Sequence, residues 1–301
     1  MRIATGYTQM TNTRQIVDSQ ARLALTQQQI SSGQRIIKPS DDASSFNKTV
    51  SIDHMVNMFD NYLKNIDQMT PNLALQESSF SSATDAMNRA RELMLEASNG
   101  SMNAGDRKKI AAEMAQIRDQ MIAIGNTRNA DGTYLFAGSR IDQPPFVKNA
   151  GNNSFSYQGN SFIRALDVNP NRRVETNTPG NMAFGTADDP ARAINALVAA
   201  VDNLENPVDD KKAMLDAIGM MDTALDSISV ATTRIGALLN TLEAEKSVQT
   251  QFVTDIKAER SALADLDYPT AISELNLRQT VLQAAMQSAV KTQGLSLFNY
   301  L

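Results

Sequence analysis

Two adjacent carboxylates, Asp41 and Asp42, stand in the stretch SSGQRIIKPSDDASSF, Ser31 to Phe46, among a glycine, a proline and several hydroxyls. The one histidine of the chain, His54, follows shortly after. Paired carboxylates can share a proton or hold a metal ion, and an imidazole can act as a general acid or base when a partner orients it. No third ligand or base lies near the pair in sequence, and the chain contains no Cys. The same residues have a conformational reading that uses more of them. Pro39 stops one helix, Ser40 or Asp41 caps the next, and the carboxylates meet the positive end of its dipole. His54, beside Met55 on a helix, reads as a solvated or seam-edge position. The sequence has no glycine-rich nucleotide fingerprint, phosphate-binding loop, nucleophile elbow or H-E-x-x-H. The expectation is a protein that is not an enzyme, with no catalytic, cofactor-binding or metal-binding residues.

The elements that position these residues are long amphipathic helices. Stepping by seven from Ile52 gives Phe59, Ile66, Leu73, Phe80, Met87 and Met94, all apolar. The companion series is Met55, Tyr62, Met69, Gln76, Ala83, Ala90 and Ala97, with one polar member. That is the seam of a left-handed coiled coil, about 70 Å long at about 1.5 Å per residue. Pro71 lies inside it and is expected to kink the helix or break it by about one turn. A shorter stripe, Ile110, Met114, Ile117, Met121 and Ile124, suits a helix folding back. A third runs through Met214, Ile218, Met221, Leu225, Ile228, Thr232, Ile235, Leu239 and Leu242, then on to Leu263 with pairing expected to loosen toward Arg260. Before it, Asp189 and Pro190 open a helix whose buried face is Ile194, Leu197, Val198, Val201 and Leu204.

Between the helical halves the chain turns rich in Gly, Asn and Pro, with short aromatic and β-branched runs. Strands are expected at Tyr134–Phe136, Pro145–Lys148, Ser154–Gln158, Phe162–Asp167 and Arg172–Thr176, forming a small antiparallel insertion that leans on the helices. The two ends are weaker. Ile16, Leu23, Ile30 and Ile37 keep a seven-residue step, interleaved with Gln20, Gln27 and Gln34, and Leu282, Met286, Val290, Leu297 and Leu301 form the stripe at the other end. Such narrow stripes gain most of their stability from packing, so the ends are expected to meet each other or other subunits.

The 301 residues include no Trp, only 5% aromatics and 15 Met, a composition suited to slender helical packing. A net charge of -5 argues against a general nucleic-acid partner. The N-terminus lacks the apolar core of a secretory signal, and no run of about 18 apolar residues offers a membrane span, so neither a cleaved signal nor membrane insertion is expected.

ISSGQRIIKPSDDASSF, Ile30 to Phe46, resembles the N-terminal signature of the bacterial flagellin superfamily, and the segment from Leu263 to Leu301 resembles its C-terminal end. NTRNADGTYLFAGSRIDQPPF, RRVETNTPGNMAFG and the closing LSLFNYL are similar to its hook-associated branch, which forms the junction between hook and filament. The resemblance implies a mainly α fold, an antiparallel coiled-coil rod built from both chain halves with a small β insertion. It implies a terminal domain of residues 1–42 and 268–301, a helical rod of 43–131 and 188–267, and an insertion of 132–187. It further implies an extracellular flagellar component made as a short helical ring of this chain, seated between hook-associated protein 1 and flagellin. Export would be unfolded, with a flagellar export chaperone. The assembly residues expected on this basis are Ile16, Leu23, Ile30, Leu282, Met286, Val290, Leu297 and Phe298, with Gly33, Pro39, Ser40, Asp41 and Asp42 as the hinge between terminal helix and rod. A minor flagellin or another exported coiled-coil protein is the alternative.

Overall fold

The computed structural model describes residues 2–98, 102–206 and 211–294. Among them the helices are α1 (Arg2–Ser32), α2 (Ala43–Ala97), α3 (Ala104–Gly125), α4 (Gly180–Ala183), α5 (Arg192–Glu205), α6 (Lys211–Ala264) and α7 (Tyr268–Gly294). The strands are β1 (Phe146–Lys148), β2 (Phe155–Tyr157), β3 (Ala165–Asn169) and β4 (Arg172–Glu175). The chain is mainly α, as its heptads require, and divides into two compact units. One is Met1–Met58 with Gln251–Leu301, and the other is Phe59–Thr250.

The larger unit is built on the expected stripes. Ile66, Leu73, Phe80, Met87 and Met94 of α2 are buried together with Ile110, Met114, Ile117 and Met121 of α3. Ile194, Leu197, Val201 and Leu204 of α5 join the same core, as do Ile218, Met221, Ile228, Ile235 and Leu242 of α6. α3 begins at Asn103, whose side chain accepts from the Asp106 N–H (2.8 Å), a side-chain N-cap. α5 begins later than its sequence suggests, with Ala191 as the N-cap residue. Asp189 lies in the preceding turn, where its carboxylate accepts from the Ala191 N–H (3.1 Å).

Pro71 does not break α2, which continues from Ala43 to Ala97. The ring is exposed while Met69 and Leu73 are buried on either side. The missing N–H therefore costs one hydrogen bond on a face open to water, and the buried flanks hold the helix.

The insertion differs from its sequence reading in detail. Two separate two-stranded antiparallel sheets form, β1–β2 with Phe146 opposite Tyr157, and β3–β4 with Leu166 opposite Val174. Tyr134–Phe136 is not a strand. It is a buried loop whose Tyr134 makes one isolated bridge to Arg128, because its aromatic side chains serve a core and its backbone has no neighbouring strand. Phe136 packs with Phe80 of α2 and Phe184 at ring-centroid distances of 5.3 and 5.2 Å, and Phe146 of β1 meets Phe184 at 5.7 Å. These rings fasten the insertion to α2.

Side-chain amides complete the sheet edges. Asn126 accepts from the Phe146 N–H and donates to its carbonyl, each at 3.0 Å. Asn195 does the same at Phe155 on β2, at 2.8 and 3.1 Å. Gln76, buried on α2, accepts from the Thr178 N–H (2.8 Å) and donates to the Thr176 carbonyl (3.3 Å). Asn126 and Asn195 each make the pair of bonds that an adjoining strand would make, which closes edges otherwise free to pair with another chain, while Gln76 ties the segment after β4 to α2.

Candidate functional site

The smaller unit holds the residues singled out by the sequence. Gly33 ends α1 with φ of 70° and its N–H on the Gln29 carbonyl (2.9 Å), the left-handed terminator that glycine favours. Pro39 therefore is not the helix stop, since it lies further on in an exposed turn with Ser40.

Asp41 and Asp42 both work on the backbone. Asp41 Oδ2 accepts from the N–H groups of Ile37 (3.1 Å) and Lys38 (2.9 Å) and ties the turn back on itself. Asp42 Oδ1 accepts from the Ser45 N–H (3.1 Å) and is the cap of α2, the role expected of Ser40 or Asp41. A hydrogen bond from the Ser45 side chain, that backbone N–H and the nearby Arg35 guanidinium hold the Asp42 carboxyl below the usual carboxylate range. His54 is exposed on α2. Among the described residues no group of three or more His, Asp or Glu side chains could hold a metal ion.

The sequence did not disclose what this turn touches. Arg35 donates its N–H to the Ala264 carbonyl (2.7 Å) and its guanidinium to the Leu263 carbonyl (2.6 Å), and the Leu266 N–H donates to the Gly33 carbonyl (2.9 Å). The segment after α1 and the segment before α7 are thus stitched into one clasp. Beside it, Ile52 and Val56 of α2 and Val253 and Ile256 of α6 are buried, and Lys48 pairs with Glu259 at 2.7 Å.

From the clasp α1 and α7 run antiparallel, with Gly33 beside Tyr268 and the Arg278 guanidinium on the Arg22 carbonyl (2.9 Å). Their seam follows four-three steps. Ile16, Leu23 and Ile30 alternate with Ser19 and the buried Thr26, whose hydroxyl donates to the Arg22 carbonyl (3.1 Å). Gln20 and Gln27, expected as the companion positions, are exposed, because the partner lies on the other side of the Ile stripe. From α7 come Ala271, Leu275, Arg278, Leu282, Ala285 and Ala289. Its large apolar side chains alternate with small and polar groups and are only half-buried, so its packing is thin.

The expected assembly residues therefore separate. Ile16, Leu23, Ile30 and Leu282 are half-buried between the two helices, whereas Met286 and Val290 face outward. Leu297 and Phe298 lie outside the described residues. Outward-facing apolar side chains that sequence reading passed over are Tyr7, Met10 and Val17 on α1 and Ile272, Leu277 and Val281 on α7, with Tyr7 74% and Val290 70% exposed. A signal for the α1 set was present: Met10, Val17 and Ala24 repeat the Ile stripe one residue out of register. None of the described helices is long and apolar enough to cross a membrane.

Comparison with known proteins places this geometry. Residues 3–140 match the family model of the bacterial flagellin N-terminal helical region and residues 218–301 that of the C-terminal helical region. The chain is 28% identical over 317 residues to flagellar hook-associated protein 3 of Escherichia coli (strain K12), covering 99% of each. It is 25% identical over 269 residues to the flagellar filament 30.7 kDa core protein of Treponema maltophilum, covering 89% of this chain and 88% of that one. The crystal structure of flagellar hook-associated protein-3 from Legionella pneumophila shares the fold, with a TM-score of 0.62 at 17% identity over 70% of this chain and 98% of that one.

Proposed function

Because this chain belongs to the bacterial flagellin family, we propose that it is a structural component of the flagellum at the hook–filament junction. The observation that carries this reading is the pair α1 and α7, thinly packed on each other and apolar on their outer faces. The full-length likeness to hook-associated protein 3 selects the junction within the family. In this role residues 1–42 and 268–301 form the terminal assembly domain, 43–131 and 188–267 the helical rod, and 132–187 the insertion. The outer faces of α1 and α7 bind further copies of the chain in a short ring, with hook-associated protein 1 on one side and flagellin on the other. An export chaperone covers the C-terminal helix beforehand, and the protein works outside the cell. Nothing in this role requires catalysis, and Asp41 and Asp42 are occupied in shaping the hinge.

The test is deletion of the gene in its host, with electron microscopy of cells and medium. Bare hooks with unpolymerised flagellin in the medium are expected, and normal filaments would overturn the junction role. Likeness to a filament core protein favours a second reading, a minor flagellin. Purified minor flagellin would grow into long filaments, whereas a junction protein stops at short assemblies.

A further inference from the structure

Helix α2, the loop after α3 and the backbone flanking β3 and β4 line a cleft of about 370 Å³, open to solvent on one side, that assembly through the terminal helices leaves unused. It falls in the size range of small-molecule sites. Its polar lining is of two kinds. The first kind spends its hydrogen bonds on the walls. Asn129 Oδ1 accepts from the N–H groups of Asp131 (3.0 Å) and Thr133 (3.1 Å). Asn177 accepts from the Arg164 N–H (2.7 Å) and donates to the Phe162 carbonyl (3.1 Å). With Gln76 spanning Thr176 and Thr178, the walls are fixed before anything enters.

The second kind faces solvent at the mouth of the cleft, with side chains that have no protein partner among the described residues: the exposed Gln68, Asp131 and Arg164 and the half-buried Asn72. Gln68 and Asn72 stand one turn apart on α2 and therefore share a face. An amide donates and accepts in one plane, the pattern that matches neighbouring hydroxyls, each of which also does both. One carboxylate and one guanidinium balance in charge, so the lining does not select a multiply charged anion. Ile141 and Leu166, both half-buried in the lining, give the remaining surface an apolar character suited to C–H faces.

We propose that this cleft binds a neutral saccharide of one or two rings, with Gln68, Asn72, Asp131 and Arg164 addressing its hydroxyls. The experiment uses the full-length protein with glucose, N-acetylglucosamine and maltose as probes, followed by saturation-transfer NMR and calorimetry. Alanine as a zwitterion and inorganic phosphate serve as competitors. Asn72→Leu and Arg164→Ala each remove a side chain that bonds to nothing in the protein, so melting should be unchanged, with Gln68→Leu in reserve should either fail to fold. The expected result is binding of at least one saccharide, weakened about tenfold by each variant as a hydrogen-bonding group is lost. No transfer to any of the three sugars would overturn the proposal. So would equal binding by wild type and variants, or preference for alanine or phosphate.

Discussion

At Gly33 the backbone passes through φ of 70°, and a Cβ there would come within 3.0 Å of the Tyr268 hydroxyl. A side chain at this position meets strain and a crowded partner together. Gly33→Val is expected to loosen the clasp by about 1–2 kcal/mol, seen as roughly tenfold lower hydrogen-exchange protection at the Arg35 and Leu266 amides. Unchanged protection would mean that the clasp does not depend on this turn. Asp42 makes a prediction in acid. Its carboxyl is held below the ordinary range in the folded chain, so its contribution is present above the unfolded value and lost as pH falls through the lower folded value. The protection factor of the Ser45 amide should drop in that acidic window in the wild type. Asp42→Asn, which keeps a capping side chain without the charge, should show a flatter profile.

Among the elements, α2 and α1 show how one heptad rule gives two outcomes. α2 places Phe80, Met87 and Met94 in a core shared with α3, α5 and α6, and its length tolerates an exposed proline. α1 has an apolar stripe of similar period, but α7 meets it with two leucines among alanines and an arginine, and its large side chains stay half-buried. The aromatic residues follow the same division. Although the chain is poor in them, Phe80, Phe136, Phe146 and Phe184 gather in one cluster where the insertion joins α2. Phe80→Ala is expected to lower the stability of this unit by about 3–5 kcal/mol, read by denaturant unfolding. A loss below about 1 kcal/mol would show that the cluster does not hold the insertion in place.

For the whole molecule, the thin α1–α7 seam and its apolar outer faces predict unequal stability along the chain. In dilute monomer, limited proteolysis should cut first before about Ser40 and after about Tyr268, leaving the unit around Phe80 intact. Met10→Ser combined with Val17→Ser should leave the melting of that resistant part unchanged while blocking incorporation at the hook. Equal protection of ends and centre would count against folding on assembly, since a segment that orders only when bound must be loose when free.

The sequence by itself determined the helical architecture, because burial on a helix imposes a repeat that can be read without coordinates, and every heptad residue of α2 from Ile66 onward is buried. It also marked Gly33 to Asp42 as a turn, since glycine, proline and aspartate restrict the backbone locally. Which carboxylate caps α2 was not legible, because adjacent aspartates satisfy the same local rule. Only the tertiary structure paired Arg35 with Leu263 and Ala264, closed the sheet edges with Asn126 and Asn195, and turned Tyr134–Phe136 into core rather than strand. It also put Leu282 into the seam while leaving Val290 outside. These are contacts between residues far apart in sequence, and no periodicity within one segment encodes which distant segment will meet it.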